Sequence, residues 1–338
     1  MKAVFWSCIV VAGCCSGLCA GPAVAQERVV IVGSGSNVPD RLYQAWVSQF
    51  NKKNNHVRVQ YLPLGTSESI KQISEGSGDF GGGEIPLSNE QMHNSKTQLT
   101  PIPMVLVGIV PIYNLSGSPE LNFSGELLAQ IYLGTVKNWK DARISKLNPG
   151  VEFPDLEISV IHRSAGKGSN YIFTDFLSKT DSQFRTEIGK GPSPKWRRGT
   201  DANRGEDMVE RVASTRGAVG YVESNLTRNA GVGYGRVQNA AGQFVRATPE
   251  SIAAACAAAE NSPGNSLTNG PGRDSYPMAS FTWIYAPSSG TSSERRKALK
   301  QFLMWGLQEG QEVARSLGYA PLPDRIASKA QAAVGSLP

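Results

Sequence analysis

Cysteine, histidine and charge are all scarce in this chain of 338 residues. Four of its five cysteines, Cys8, Cys14, Cys15 and Cys19, crowd into the first 25 residues. Without that segment only Cys256 is left, and one thiol makes neither an internal disulfide nor a thiolate metal cage. The three histidines, His56, His93 and His162, lack the spacing of a zinc-binding helix. Charged residues are 18% of the chain, below the roughly 25% of an average globular protein. Beside 40% hydrophobic residues, that scarcity excludes global disorder. No block of five like charges occurs, so the net charge of +6 does not come from a nucleic-acid-binding tail. The densest basic cluster, Lys195-Trp196-Arg197-Arg198, reads as a solvated loop.

Nucleotide and hydrolase motifs are also missing. Gly33-Ser34-Gly35-Ser36-Asn37-Val38 lacks the third glycine of a dinucleotide fingerprint. Gly166-Lys167-Gly168-Ser169 has its lysine before a glycine, and residue 161 is Ile where a P-loop needs Gly. No Gly-x-Ser-x-Gly nucleophile elbow is present. Asp79 and Glu84 could form a carboxylate pair, but spacing alone is unspecific. His162, at a strand end, reads as structural rather than catalytic.

One long hydrophobic run is present. Residues 3–20 follow Lys2 and lead to Ala23-Val24-Ala25 before Gln26, the pattern of a secretory signal with a cleavage site after Ala25. Val11-Ala12-Gly13-Cys14 is a rival lipoprotein box that would anchor the chain at Cys14, with only about ten apolar residues before the cut. Cleavage after Ala25 is the preferred reading, and it puts the mature chain in the periplasm. No other run is long and apolar enough to span a membrane, so the mature chain is expected to be soluble.

The 36 glycines and 20 prolines follow no period and punctuate short elements instead. Residues 28–32 read as a buried strand and 33–37 as a Gly/Ser loop. A helix carrying Leu42, Tyr43, Trp46, Val47 and Phe50 on one face follows. Residues 57–61 alternate as a strand, then comes a Gly-Thr-Ser loop and a second helix with Ile70 and Ile73. This is a βαβ pattern, which implies a parallel sheet covered by helices. Residues 100–113 form an apolar run long enough to pass between domains. Residues 158–161 are another strand, followed by a Gly/Ser loop at 163–169 and a helix. Chain length and the recurrence of strand, Gly/Ser loop and helix at Gly33, Gly65 and Gly166 predict two similar α/β domains.

Each of those junctions offers the unpaired N–H groups and partial positive charge of a helix N-terminus. Glycine lets an oxyanion approach the backbone, and a hydroxyl adds a donor. Arg163 stands beside the third.

Five stretches carry a resemblance. They are Gly65-Thr66-Ser67 through Lys71-Gln72-Ile73, Asp79-Phe80-Gly81 through Pro86-Leu87-Ser88, Ile131-Tyr132-Leu133-Gly134, Lys146-Leu147-Asn148-Pro149-Gly150 and Gly217-Ala218-Val219-Gly220-Tyr221-Val222-Glu223. The tail Tyr319-Ala320-Pro321-Leu322-Pro323 adds to them. From about Val30 to Asp324 the chain resembles the exported phosphate-binding proteins of high-affinity phosphate ABC transporters (PstS-like, type II periplasmic binding proteins). The resemblance implies an α/β fold of two lobes, each a mixed sheet flanked by helices, joined by two crossing strands. Lobe I would hold residues 26–110 and 282–338, and lobe II residues 111–281, after a signal peptide at 1–25. Inorganic phosphate or a similar tetrahedral oxyanion would be held between the lobes and delivered to a membrane ABC permease.

Carried over by position, the site comprises Asn37 and Val38, where Thr-Phe is usual, and Thr66, where Ser is usual. Glu84 stands where Asp is usual. Arg163 matches, and Lys167-Gly168-Ser169 replaces Ser-Gly-Thr. Arg163 would neutralise and orient the anion. Thr66, Ser169, Asn37 and the backbone N–H groups of Val38, Gly168 and Ser169 would donate hydrogen bonds. Glu84 would accept the proton of hydrogen phosphate and so repel sulfate, which has none near neutral pH. Lys167 is open to three roles: pointing to solvent, binding the anion or neutralising Glu84. The resemblance implies no catalysis, metal or cofactor and no nucleic-acid partner, and the chain is expected to be a monomer. An oxyanion sensor, an adhesion or matrix protein reusing the fold, and an exported phosphatase are the alternatives.

Overall fold

The computed structural model describes residues 28–228, 230–258 and 266–338. Residues 1–25, expected as a signal peptide and holding four cysteines, lie outside the described residues. Strand β1 (Val29–Ser34), helix α1 (Asp40–Lys53) and strand β2 (Val57–Leu62) make the expected βαβ unit, with β1 and β2 parallel from Val29 opposite Val57 to Ser34 opposite Leu62. Helix α1 turns Leu42, Tyr43, Trp46 and Phe50 inward at helical spacing. Burying each such side chain contributes roughly 1.5–3 kcal/mol. The Trp46 indole also donates to the Gly310 carbonyl at 2.8 Å, so its one polar atom is satisfied in the core. Helix α2 (Thr66–Ser74) and the short strand β3 (Gly81–Gly83) follow.

The predicted apolar run at 100–113 is one fifteen-residue strand, β4 (Leu99–Tyr113). Strand β5 (Ser159–Arg163) runs into helix α3 (Gly168–Thr180). Helix α4 (Gly205–Ser214) precedes strand β6 (Ala218–Glu223), and strand β7 (Ala279–Pro287) lies near the C-terminal end. The strands are ordered β3-β7-β4-β6-β5 across one sheet. Strand β4 changes partner along its length. Residues from Leu99 to Gly108 pair antiparallel with β7, and those from Ile109 to Tyr113 pair antiparallel with β6. It therefore belongs to both halves of the molecule, and its continuous apolar sequence follows from burial on both faces.

A helix covers Pro249–Ala254, a tighter 3₁₀ turn covers Ala255–Ala258, and Cys256 is buried within that turn. No helix among the described residues is long and apolar enough to cross a membrane.

Candidate functional site

Strand β5 ends at Arg163, β6 ends at Glu223, and α3 begins at Gly168 between them and the first lobe. Parallel neighbouring strands present their carboxyl ends on the same edge, which is where an open α/β sheet places its binding crevice. Lys167 occupies the N-cap of α3 and has no side-chain acceptor to offer the helix. The first N–H groups of α3 are thus left for another partner.

Four of the residues expected at the site come together here. Thr66, Glu84, Gly168 and Ser169 are all buried. The Thr66 hydroxyl donates to Glu84 Oε2 at 2.8 Å. Gly168 faces the same carboxylate, and a Cβ on it would stand 1.6 Å from Glu84 Oε2 and 2.7 Å from Thr66 Oγ1. Only glycine lets the helix start come this close. Glu84 is pushed up to about 7, chiefly by burial; the Thr66 and Ser36 hydroxyls oppose the shift, and the nearby Glu223 adds to it.

Arg163 is buried as well. Its Nη1 donates to Glu223 Oε1 at 3.1 Å, its Nη2 donates to the Asn203 carbonyl at 3.2 Å, and its own N–H is held by the Tyr221 hydroxyl. Several buried polar atoms of this cluster have no partner: Glu84 Oε1, Arg163 Nε, Ser169 Oγ and Glu223 Oε2. Buried polar groups are nearly always satisfied, so such a concentration of both donors and acceptors marks a place for a polar ligand.

Asn37 and Val38 are engaged within the protein. Asn37 Nδ2 donates to the Pro63 carbonyl at 2.9 Å and its Oδ1 accepts from Lys167 Nζ at 3.2 Å. The Val38 N–H donates to Ser36 Oγ at 3.1 Å within its own turn. Lys167 is half-buried and reaches over to Asn37. Burial, then the cations Arg163 and Arg204, hold its ammonium below the usual lysine range. A second contact crosses at the same place, from the Ser67 N–H to the Gly166 carbonyl at 3.1 Å. A third is the ion pair of Arg204 Nη2 with Asp40 Oδ2 at 2.8 Å.

Sequence reasoning missed Glu223, Ser36, Asp40 and Arg204. The available signal for Glu223 was an acid ending the otherwise uncharged run at 217–222. Other candidates resolve as structural. Asp79 accepts from the Val32 N–H at 2.7 Å and pairs with Arg295, which takes it out of any carboxylate pair with Glu84. His162 stacks on Trp196 and pairs through Nδ1 with Asp201 at 3.0 Å. In the basic cluster Arg197 pairs with Glu187 and Arg198 with Glu157. Among the described residues no group of three or more His, Cys, Asp and Glu side chains could hold a metal ion.

Residues 21–309 match the family described as the PBP superfamily domain. The phosphate-binding protein PstS of Pasteurella multocida is 34% identical over 316 residues, 92% of this chain and 91% of that one. That of Haemophilus influenzae is also 34% identical, over 88% of this chain and 90% of its own. This chain belongs to the PstS family. Solved structures agree on the fold that membership entails. An ABC-type phosphate transport receptor from Vibrio cholerae superposes with a TM-score of 0.61 at 19% identity, over 87% of this chain and all of that one. A phosphate-binding protein from Stenotrophomonas maltophilia gives 0.65 at 18% identity, over 90% of this chain and 94% of its own. The fold is the mixed α/β, two-lobed fold of periplasmic binding proteins.

Proposed function

We propose that this chain is the exported substrate receptor of a phosphate ABC transporter. It works in the periplasm after loss of residues 1–25, as a monomer, and hands inorganic phosphate to a membrane permease. It performs no catalysis itself. One observation carries the reading: unpartnered Glu84 Oε1, Arg163 Nε and Ser169 Oγ share a buried cluster at the start of α3. A tetrahedral oxyanion bearing one proton is a ligand of matching chemistry. Its oxygens accept from the guanidinium, the hydroxyl and the free N–H groups at Gly168 and Ser169, and its P–OH donates to Glu84. The names of the PstS relatives point to the same ligand.

The proposed lobes are 26–110 with 282–338, and 111–281. The partner change of β4 between Gly108 and Ile109, and the start of β7 at Ala279, support boundaries near those positions. In the closed arrangement Thr66 and Glu84 of the first lobe lie against α3 of the second. Calorimetry in the presence of a chelator tests the ligand, and small-angle scattering tests closure. The expected result is one saturable phosphate site and a smaller radius of gyration on adding phosphate. Saturable sulfate binding without a phosphate response would overturn the assignment.

A further inference from the structure

A cavity of about 770 Å³ lies between the two proposed lobes and shares no lining residue with the cluster around Glu84 and Arg163. Its volume is in the range of sites that enclose a small organic ligand. Its floor is a strip of β4 and β7, whose register sets Trp283 opposite Pro103 and Tyr285 opposite Pro101. Alternate residues of a strand share a face, so this pairing lays two aromatic rings and two prolines side by side. The Tyr285 hydroxyl is already engaged, donating to the Ile85 carbonyl and accepting from the Leu87 N–H, so Tyr285 presents its ring. The C-terminal helix (Asp324–Gly335) closes one wall with the buried Ile326 and Ala330. The opposite wall belongs to the second lobe, with Tyr171 of α3 and Lys190.

The charge of this cavity has one sign. Lys190 and Lys329 line it, and among the described residues no acid does. Lys190 Nζ lies 5.7 Å from the centre of the Tyr171 ring. Its acidic neighbour Asp175, at 3.4 Å, is shared with Lys179 at 3.0 Å, so one carboxylate faces two ammonium groups. An apolar floor with surplus positive charge at its edge is complementary to an anion with an apolar body. We propose that the cavity is a second binding site, which takes a small organic carboxylate with an apolar chain, and that its occupancy strengthens phosphate binding. The chain lies along the Trp283–Tyr285 strip, and the carboxylate faces Lys190 and Lys329. Because the walls come from both lobes, a ligand that touches both favours the shut arrangement. Coupling between two binding sites is reciprocal, so phosphate strengthens carboxylate binding by the same factor.

The coupling rests on the proposed closure around phosphate, and the experiment keeps the two apart. Decanoate, below its micelle-forming concentration, is titrated into the protein by calorimetry with and without saturating phosphate, and phosphate is titrated with and without decanoate. The expected result is one saturable decanoate site whose affinity rises about fivefold or more with phosphate, matched by an equal rise in phosphate affinity with decanoate. Lys190→Gln should weaken decanoate binding by about fivefold and leave phosphate binding in the absence of decanoate unchanged. Ala330→Trp fills the cavity from its helical wall and should abolish decanoate binding while phosphate still binds, which also shows that the variant folds. If it does not fold, Lys190→Gln decides alone. Several weak decanoate sites, a decanoate affinity indifferent to phosphate or to Lys190→Gln, or full decanoate binding in Ala330→Trp would each overturn the proposal. Binding to phosphatidylglycerol vesicles in place of free decanoate would assign the lysines to a membrane surface and overturn it too. Absence of phosphate binding beside one saturable decanoate site would instead sink the phosphate reading.

Discussion

The two sides of the cleft bring opposite chemistry to it. The second lobe contributes cations and donors: Arg163, Lys167, Arg204, the Ser169 hydroxyl and the N-terminus of α3. The first lobe contributes acids and acceptors: Glu84, Asp40 and the side-chain oxygen of Asn37, with the Thr66 and Ser36 hydroxyls beside Glu84. In the proposed site, attraction for an anion therefore resides on one side and discrimination among anions on the other, and the closed arrangement would combine them. Closure also brings cations of one lobe to acceptors of the other at the rim, which couples the shut state to the same charge asymmetry.

The largest effect is expected where attraction resides. Arg163→Ala removes the central donor and leaves Glu223 buried, unpaired and beside the incoming anion. Breaking a buried pair from one side costs about 3–5 kcal/mol, so phosphate affinity should fall by two to three powers of ten in calorimetry. A loss under about tenfold would mean that the helix N-terminus alone holds the anion.

On the discriminating side the expected effect is smaller and depends on pH. With Glu84 at about 7, its neutral form can donate a proton to sulfate, and its ionised form can only repel it. Sulfate affinity should be flat below about pH 7 and fall about tenfold per pH unit above it. Phosphate, which supplies its own proton, should vary much less, and Glu84→Gln should flatten the sulfate profile. The ligand-free protein carries the matching signature. The folded carboxyl binds its proton more tightly than the ordinary value of 4.5. The folded state thus holds more protons between about 4.5 and 7 and loses stability as pH rises through that window, by roughly 3 kcal/mol in all. Melting temperatures should fall across the window in the unaltered protein and stay level in Glu84→Gln. A pH-independent preference for phosphate would take discrimination away from the first lobe.

The same asymmetry separates what the sequence made legible from what it did not. Thr66, Gly168 and Ser169 sit at strand–loop–helix junctions, so local pattern was enough to pick them out, and Glu84 follows the glycine run that becomes β3. The fold was legible for a similar reason: β1, α1 and β2 each carry their own apolar period. The charge partners were not. Glu223 lies 60 residues from Arg163, Lys167 lies 130 from Asn37, and Arg204 lies 164 from Asp40. Those distances in sequence are closed by strand register and by the meeting of the lobes, and no local period encodes either. Nor does any local period encode that Pro63, Lys167 and Ser36 engage Asn37 and Val38.

The smallest effect is expected at the rim. Arg204 is 42% exposed in its pair with Asp40, and exposed pairs contribute about 0–1 kcal/mol. Arg204→Ala should therefore weaken phosphate binding by less than about fivefold, through a less favoured closed state. The loss should shrink at high salt, and Asp40→Asn should add little once Arg204 is gone. The scattering change on ligand addition should need more phosphate in the variant but reach the same end point. A loss as large as that of Arg163→Ala would break the comparison. The rim cation would then be acting on the anion itself, and attraction would extend along the whole second lobe and no longer centre on the buried guanidinium.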